Sequence, residues 1–337
     1  MTSATLEHTG LGRRDILMLG CGVGALAIVS ACNKVGGIAD PVLRASVTGK
    51  GDGDTRLLLK TAGIVTEGFR VDYSEFQSGH LVVEAFNGGA LDYGGMSEIP
   101  PIFAAASSEQ NFRQIAIAHG DVNNQVVLIP RGSRIASLAD LKGKRVGYVQ
   151  ATTSQYFLIR MLHSVGLEWS DITPIAMNVS DGMAAFSSGA LDAWAIYGFP
   201  IQRAIAVEGA TILKTALGFL SGNYIVVASV KALADPAKVE LIGKYLRDTQ
   251  QAYAWAVANQ DIWAKAIAKE INVPLAYVQD QFRRKSDSYT LRPVTEAAIA
   301  SQQEVADLFA QQKLVPKAID VRPLWDNRFN SILQEKL

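Results

Sequence analysis

The chain has 337 residues, of which 49% are hydrophobic, so it is long and apolar enough to bury the cores of two domains. Its 32 lysine and arginine residues equal its 32 aspartate and glutamate residues, which gives a net charge of zero. Because nucleic acids are bound by strongly basic faces, this balance argues against a nucleic-acid partner.

The first 31 residues have the pattern of an export signal. Arg13 and Arg14 form a basic region, and residues 16–29 are an uncharged apolar run, shorter than the about 20 residues that span a bilayer. The run leads through Val-Ser-Ala into Cys32, which resembles a bacterial lipobox, and the paired arginines resemble a twin-arginine signal. We predict a lipidated Cys32, a tether over 32–40 and a location in the periplasm or at the cell surface. The alternative is an N-terminal helix buried in the core.

Cys32 would then be the single cysteine of the mature chain, because Cys21 would leave with the signal. This excludes a disulfide framework, a Cys-x-x-Cys redox pair, a cysteine-rich zinc site and a cysteine nucleophile in the folded part. The histidines have no metal-ligand spacing, and the common hydrolase, metalloprotease and nucleotide-binding motifs are missing from the sequence. We predict no catalytic residue, no metal and no cofactor.

One segment of the sequence occurs twice, one hundred residues apart. Residues 85–92 read AFNGGALD, residues 185–192 read AFSSGALD, and each copy is followed by a proline, Pro100 or Pro200. In each half a β-like run, a small-residue loop, a helical segment, a second strand and a second helix precede the copy in the same order. Strand–helix–strand succession implies parallel pairing, so the repeat predicts two similar α/β lobes that face each other across a cleft.

The elements predicted in the first half are strands at 42–47, 69–76 and 93–94, and helices from Asp54 to Gly63 and over 80–86. Those predicted in the second half are strands at 145–149, 173–176 and 193–196, and helices over 156–165, with Ser154 as candidate N-cap, and 181–186.

Two extended segments, 126–130 and 224–229, bracket the second copy and are predicted to cross between the lobes as a hinge. Residues 236–313 are predicted to be helical and to pack on the first lobe. The predicted boundaries are therefore 41–126 together with 227–337 for lobe I, and 127–226 for lobe II.

The carboxyl ends of parallel strands face a crevice, so four loops are predicted to line the cleft: 48–54, 95–99, 150–154 and 197–199. Loops that begin helices present free N–H groups that favour anions. Hydroxyl groups on two of these loops add donors suited to a sulfonate, phosphate or carboxylate, although each residue is equally suited to be an ordinary helix cap. The candidate ligand-binding residues are Gly51, Asp52, Gly53, Ser97, Glu98, Thr152, Thr153, Ser154, Trp194, Tyr197 and Gly198.

For three of these candidates the sequence also indicates whether the side chain faces the ligand. Trp194 is favoured as a core residue, whereas Tyr197 precedes a glycine and is expected to face the ligand. Glu98 would repel an anion unless its carboxylate turns away or holds a polar or cationic part of the ligand.

Four segments of the chain resemble the periplasmic substrate-binding proteins of ABC importers for aliphatic sulfonates, taurine and nitrate. They are Ser-Glu-Ile-Pro-Pro at 97–101, IASLADLKGKRVG at 135–147, GALDAWAI at 189–196 and LVPKAIDV at 314–321. The resemblance implies a type II periplasmic-binding-protein fold, with a mainly parallel sheet flanked by helices in each lobe and the ligand between lobes that close on it. It also implies ligand contacts at Ser97, Thr152, Thr153, Ser154 and the Trp194 strand end.

The chain departs from the family pattern in two places. It has Tyr-Gly-Phe-Pro at 197–200, where the family often has an aromatic residue followed by Asp-Pro, and its first loop is unusually rich in glycine and aspartate. The ligand is therefore not necessarily an ordinary alkanesulfonate.

The predicted function is capture of a small organic oxyanion, an organosulfonate, by a monomeric lipoprotein that delivers it to an ABC permease. Two alternatives stay open. One is a desulfinase-like enzyme on the same scaffold, which would need a cysteine that the cleft lacks. The other is a binding protein for a cationic or pyrimidine-like ligand, in which Asp52, Asp54 and Glu98 would be contacts.

Overall fold

The structure is a computed structural model that describes residues 40–107 and 110–334. The predicted export signal, Cys32 and all but the last residue of the tether lie outside the described residues. None of the helices in the described ranges combines the length and apolarity required to cross a bilayer.

Eleven strands in the described residues form two mixed β-sheets. The six-stranded sheet contains β1 (Val42–Thr48), β2 (Arg70–Phe76), β3 (Tyr93–Ser97), β4 (Phe112–His119), β10 (Asn223–Ser229) and β11 (Thr290–Arg292), in the order β11-β4-β10-β3-β1-β2. The five-stranded sheet contains β5 (Gln125–Ile129), β6 (Arg145–Tyr148), β7 (Thr173–Ala176), β8 (Ala193–Tyr197) and β9 (Thr211–Thr215), in the order β7-β6-β8-β5-β9. We call each sheet with its helices a lobe, the first lobe being the six-stranded one.

Helices flank both sheets. The first five helices along the chain are α1 (Thr55–Ala62), α2 (Gly79–Asn87), α3 (Pro100–Ala106), α4 (Thr153–His163) and α5 (Val179–Ser187). The helices that follow are α6 (Phe199–Arg203), which continues as a π-helix over Ala204–Glu208, α7 (Val230–Leu233), α8 (Pro236–Ala258), α9 (Gln260–Glu270), α10 (Leu275–Arg283), α11 (Glu296–Gln311) and α12 (Asn330–Gln334). Short 3₁₀ turns lie at Leu138–Leu141, Trp169–Asp171 and Arg322–Leu324.

The strands of the two repeats pair in parallel, as predicted. Strand β1 pairs in parallel with β2 and β3, and β6 pairs in parallel with β7 and β8. Strands β10 and β5 lie outside the repeats and pair antiparallel with their neighbours. Strand β10 is antiparallel to β3 and β4, and β5 is antiparallel to β8 and β9. Each sheet is therefore mixed, with a parallel part built from the repeat.

The repeat extends to one side-chain arrangement. Asp92 Oδ2 accepts hydrogen bonds from the backbone N–H and Nε of Arg44 (3.0 and 3.2 Å), and Asp192 Oδ2 accepts the same two bonds from Arg145 (2.8 and 3.1 Å). Each arginine also donates to the carbonyl of a glycine with positive φ, Gly89 or Gly189. These bonds connect the turn after α2 or α5 to the first strand of its repeat, β1 or β6. The duplication in the sequence is thus a duplication in structure.

The two aspartates differ in their electrostatic surroundings. Burial alone would raise the pKa of the Asp92 carboxyl, but hydrogen bonds from Arg44 and Lys238 hold it at about 2. The Arg145 hydrogen bond lowers the pKa of Asp192, which is more exposed. The first-lobe copy is therefore the more deeply buried ion pair.

The chain crosses from the first lobe to the second between His119 and Gln125, and it returns between Thr215 and Asn223. The predicted extended segments at 126–130 and 224–229 correspond to β5 and β10, which begin just after these crossings. The predicted lobe boundaries at 126/127 and 226/227 stay a prediction.

Some elements differ from the sequence-based expectation. The N-cap of α4 is Thr152 and not Ser154, because Thr152 Oγ1 accepts the Ser154 N–H while the Ser154 hydroxyl bonds to the backbone of Val149. The helical region after residue 236 is interrupted by β11, which adds an edge strand to the first sheet. Strands β4, β9 and β11 were not predicted.

Candidate functional site

A cavity of about 210 Å³ lies between the lobes. It is lined by strand β3 and by the segments that follow the other parallel strands of both repeats, namely those after β1, β2, β6, β7 and β8. The carboxyl ends of parallel strands open onto one crevice in each sheet, and here the two crevices share one cavity. The four loops expected at the cleft all contribute to its wall.

Most of the candidate residues lie on this wall, from both lobes. Those that line the cavity are Asp52, Gly53, Ser97, Thr152, Thr153, Tyr197 and Gly198. Gly198 has φ of 74° and ψ of −155°, a conformation that only glycine adopts readily, so the turn after β8 depends on this residue.

Four candidates lie behind the wall. Glu98 is 3% exposed and its carboxylate accepts a hydrogen bond from Ser221 (2.7 Å), away from the cavity. Ser154 is buried against Val149, and Trp194 is buried against Phe186. Gly51 has positive φ and shapes the first loop without lining the cavity.

Helix N-termini at the cavity differ in how they are capped. The side chains of Asp54, Thr152 and Asn178 each accept a backbone N–H at the start of α1, α4 and α5. At the start of α2 the N-cap Ser78 makes no such bond, and Gly79 lines the cavity. Among α1, α2, α4 and α5, the α2 start therefore offers uncapped N–H groups, which favour an anion. The five-residue helix α6 also begins at the cavity without a side-chain cap, at Gly198.

Hydroxyl groups add neutral donors beside these amides. Within the described residues the side chains of Ser97 and Thr153 line the cavity and make no hydrogen bond of their own. The Tyr197 hydroxyl is buried, and the Thr152 side chain lies close to it but outside hydrogen-bond geometry. Because burial raises the pKa of Tyr197, its hydroxyl stays protonated and able to donate.

Asp52 on the cavity wall and Asp54 behind it are both compensated. Asp52 accepts the Trp263 Nε1–H (2.7 Å) and pairs with Lys285 Nζ (2.7 Å). Asp54 caps α1 and pairs with Arg56 (3.0 Å).

For Glu98, burial raises the pKa to about 7, although hydrogen bonds from Ser221 and Ser301 oppose the shift. Glu98 is therefore only partly ionised at neutral pH, and it does not face the cavity. These carboxylates therefore contribute little electrostatic repulsion to a bound anion.

The remaining wall is largely apolar and aromatic. Tyr224, Tyr253 and Tyr289 line the cavity on the first-lobe side, with ring centroids 5.5 Å apart for Tyr224–Tyr289 and 5.8 Å apart for Tyr253–Tyr289. Phe199 and Leu291 extend this surface. Phe199 belongs to the loop 197–199 that was predicted to line the cleft. The three tyrosines and Leu291 were not among the candidates, because they come from segments far apart in the chain and no local pattern marks them.

Polar wall residues were also missed. Gln77 follows β2, Lys50 lies in the first loop, and Asn124 and Gln125 lie where the chain crosses into the second lobe. Lys50 Nζ is 3.9 Å from a Glu270 carboxylate oxygen, so its charge is shared with an acidic neighbour. The polar Asn-Asn-Gln run before an apolar strand was the one sequence signal that pointed to the crossing segment.

No group of three or more His, Cys, Asp or Glu side chains within 40–107 and 110–334 is arranged to hold a metal ion. Both cysteines of the chain precede residue 40. The cavity wall presents hydroxyls, amides, backbone N–H groups and aromatic rings, together with Lys50 and Asp52.

The sequence and the fold were compared with known proteins. Residues 65–262 match the family described as NMT1/THI5 like. The chain is 30% identical over 254 residues to a protein of Escherichia coli (strain K12) named as an aliphatic sulfonates-binding protein. The aligned segment covers 75% of this chain and 78% of that protein.

Two solved structures are similar over most of the chain. The alkanesulfonate-binding protein SsuA from Xanthomonas axonopodis pv. citri, bound to MOPS, has a TM-score of 0.76 at 26% identity and covers 86% of this chain and 99% of its own. The periplasmic aliphatic sulphonate binding protein SsuA from Escherichia coli has a TM-score of 0.72 at 27% identity. The match covers 85% of this chain and 92% of that protein.

These relatives are substrate-binding proteins by name, and their two-lobed periplasmic-binding-protein fold is the fold of this chain. The matched family segment spans more than half of the chain and includes most of the cavity-lining loops. The chain belongs to the NMT1/THI5-like family.

Proposed function

We propose that the protein is the extracytoplasmic solute-binding component of an ABC importer and that it captures a small organosulfonate between its lobes. The observation that carries this proposal is the donor set of the cavity: uncapped N–H groups at the start of α2 and free hydroxyls on Ser97, Thr153 and Tyr197. Neutral donors in a buried site bind an anion without a counter-ion, as in other helix N-terminal anion sites.

The tail of the ligand contacts the aromatic wall. Tyr224, Tyr253 and Tyr289 bury apolar surface, while the anionic head lies at the strand ends. The names of the matched relatives, which refer to aliphatic sulfonates and alkanesulfonate, agree with a ligand that has both parts. The ligand-contacting residues in this proposal are Asp52, Gly53, Ser97, Thr152, Thr153, Tyr197 and Gly198.

Binding is coupled to lobe closure in this proposal. The lobes are joined by two crossing segments, and the side chains of Gln77 and Ser180 bridge them beside the cavity (3.2 Å). Closure around the ligand removes water from the site and strengthens the hydrogen bonds to the anion.

The cellular role follows from the same proposal. Cys32 anchors a monomeric protein to the membrane after export, and the closed, loaded form delivers the ligand to a permease. The acidic residues do not favour the cationic alternative, because Asp52, Asp54 and Glu98 are paired or turned away. The desulfinase alternative lacks a cysteine at the cavity.

A thermal-shift panel of alkanesulfonates, sulfate, nitrate and carboxylates tests the ligand class. Ligands that bind the folded state raise Tm in proportion to the logarithm of their concentration over Kd. We expect at least one sulfonate to raise Tm more than sulfate or nitrate does, and no shift with any sulfonate would contradict the proposal.

A further inference from the structure

Gln125 places a buried amide in the wall of the cavity with one end unused. It begins β5, is 3% exposed and lines the cavity. Its Nε2 donates a hydrogen bond to the Tyr224 hydroxyl (2.8 Å), and its Oε1 is buried with no hydrogen-bond partner among the described residues.

The orientation of this amide is fixed by its neighbours. The Tyr224 hydroxyl donates its hydrogen to the backbone carbonyl of Asp121 (2.8 Å), and a carbonyl oxygen can only accept. The oxygen of Tyr224 therefore presents lone pairs to Gln125, and only the NH₂ end of the amide suits them. Rotating the amide would bring two acceptors together, so the free end of Gln125 is an acceptor.

A second unused polar group lies next to it. Tyr197 is the cross-strand partner of Gln125 in the β5–β8 pair, it lines the cavity, and its buried hydroxyl has no partner within the described part of the chain. A tyrosine hydroxyl can donate to an anion, whereas the Gln125 oxygen cannot. Buried polar groups in folded proteins are nearly always paired, and these two belong to residues that line the cavity, so we assign their partners to the ligand.

An ionised sulfonate has acceptor oxygens and no donor, so it satisfies Tyr197 but leaves Gln125 Oε1 unpaired. We propose that the ligand is a sulfonate whose tail carries a neutral hydrogen-bond donor, a hydroxyl or an amide N–H, bonded to Gln125 Oε1. This inference rests on the proposed function. The donor is neutral because the Asp52 carboxylate on the wall is already paired with Lys285, which leaves no free negative charge there for an ammonium group.

The cavity volume limits the size of this ligand. A protein cavity of about 150 Å³ accommodates benzene, so 210 Å³ has room for a sulfonate head with a short chain or a single ring. Suitable matched pairs are ethanesulfonate and 2-hydroxyethanesulfonate, propanesulfonate and 3-hydroxypropanesulfonate, and benzenesulfonate and 4-hydroxybenzenesulfonate. A third two-carbon sulfonate, 2-aminoethanesulfonate, carries a charged ammonium group in place of the hydroxyl.

Isothermal titration of the wild-type protein with these pairs tests the inference without any variant. We expect the hydroxylated member of at least one pair to bind at least tenfold more tightly than its parent, and 2-aminoethanesulfonate to bind more weakly than 2-hydroxyethanesulfonate. A site built to hydrogen-bond a ligand group rejects the analogue that lacks it, because its own polar atom is left unpaired.

Gln125→Met removes the acceptor and keeps the length of the side chain. We expect it to abolish the preference for the hydroxylated member, measured as the ratio of the two affinities within each pair. Gln202→Met is the matched control, because Gln202 is equally buried, also has an unpartnered Oε1 among the described residues and does not line the cavity. It should leave the preference unchanged.

The outcomes separate this inference from the function on which it rests. Equal binding within every pair, or a preference for the ammonium-bearing sulfonate, would overturn the inference and leave sulfonate binding intact. A preference that survives Gln125→Met would also overturn it. If no sulfonate binds at all, the proposed function fails and the inference fails with it.

Discussion

Ser180 Oγ donates a hydrogen bond to Gln77 Oε1 across a distance of 3.2 Å. Gln77 follows β2 in the first lobe and Ser180 lies in the first turn of α5 in the second, so this bond joins the lobes at the edge of the cavity. The pair is therefore positioned to slow the release of a bound ligand.

We predict that Ser180→Ala increases the dissociation rate of a bound sulfonate about two- to tenfold, since one neutral hydrogen bond contributes about 0.5–1.5 kcal/mol. The association rate should change little. Stopped-flow fluorescence measures both rates. Ser188→Ala is the control, because this hydroxyl lies just after the same helix and bonds to the carbonyl of Ala185 within its own lobe. An unchanged dissociation rate in Ser180→Ala would show that the pair does not hold the lobes together.

Glu98 should affect stability and its pH dependence, and not ligand choice. Burial raises its pKa to about 7 in the folded protein from the ordinary value of 4.5. The folded state then binds more protons than the unfolded state between these pH values, so the free energy of unfolding falls as pH rises from about 4.5 to 7.

Glu98→Gln should remove this fall and stabilise the protein at pH 8 by up to about 3 kcal/mol, since each pKa unit corresponds to about 1.4 kcal/mol. A glutamine still accepts the Ser221 hydroxyl hydrogen bond. Urea unfolding at pH 4.5, 6 and 8 checks the prediction, with the exposed Glu67→Gln as control. A change in ligand selectivity with no change in the pH profile would show that the carboxylate faces the ligand.

Lys285 should protect anion binding by neutralising Asp52. Removing it in Lys285→Met leaves a carboxylate unpaired at the cavity wall, which repels an anion and lowers its affinity by about tenfold or more at low salt. The double variant Asp52→Asn with Lys285→Met removes both charges, and the introduced amide oxygen can still accept the hydrogen bond from Trp263. Titration calorimetry should show recovery in the double variant. Loss of affinity that the second change does not restore would assign Lys285 a direct role in binding.

Gly79 should be required at the start of α2. A Cβ at this position would lie 2.8 Å from Pro100 Cγ and 2.9 Å from Met96 Cβ, so Gly79→Ala must displace α2 or α3. We expect at least a tenfold loss of sulfonate affinity, together with about 1–3 kcal/mol of destabilisation from overpacking.

Gly88→Ala is the control for Gly79→Ala, because Gly88 lies at the other end of α2 with a right-handed backbone and ordinary contact distances. It should leave affinity unchanged. Equal affinities for wild type and Gly79→Ala would place the anion elsewhere in the cavity.

The sequence was sufficient to predict the parts of the fold that the repeat encodes. The paired Gly-Ala-Leu-Asp segments led to parallel strands in both lobes and to a cleft at their ends, and Asp92 and Asp192 indeed make equivalent bonds. Strands β9 and β11 escaped prediction because they are short strands at sheet edges, whose order depends on their neighbours more than on their own residues.

The site was predictable at the level of loops and not of individual side chains. Neighbouring residues of an extended segment point in opposite directions, so Ser97 lines the cavity while Glu98 turns away. For the same reason Tyr197 lines the cavity, whereas Trp194 on the same strand points into the core. The tyrosine wall and Gln125 depend on tertiary contacts between distant segments, which no local pattern reveals.

Titration calorimetry of the purified protein with short alkanesulfonates and hydroxyalkanesulfonates is the most direct test of the account. We predict saturable binding of one sulfonate per chain, weakened at least tenfold by Gly79→Ala. Absence of binding by every sulfonate, or binding that Gly79→Ala leaves unchanged in both affinity and stoichiometry, would contradict a sulfonate site at the start of α2 between the two lobes.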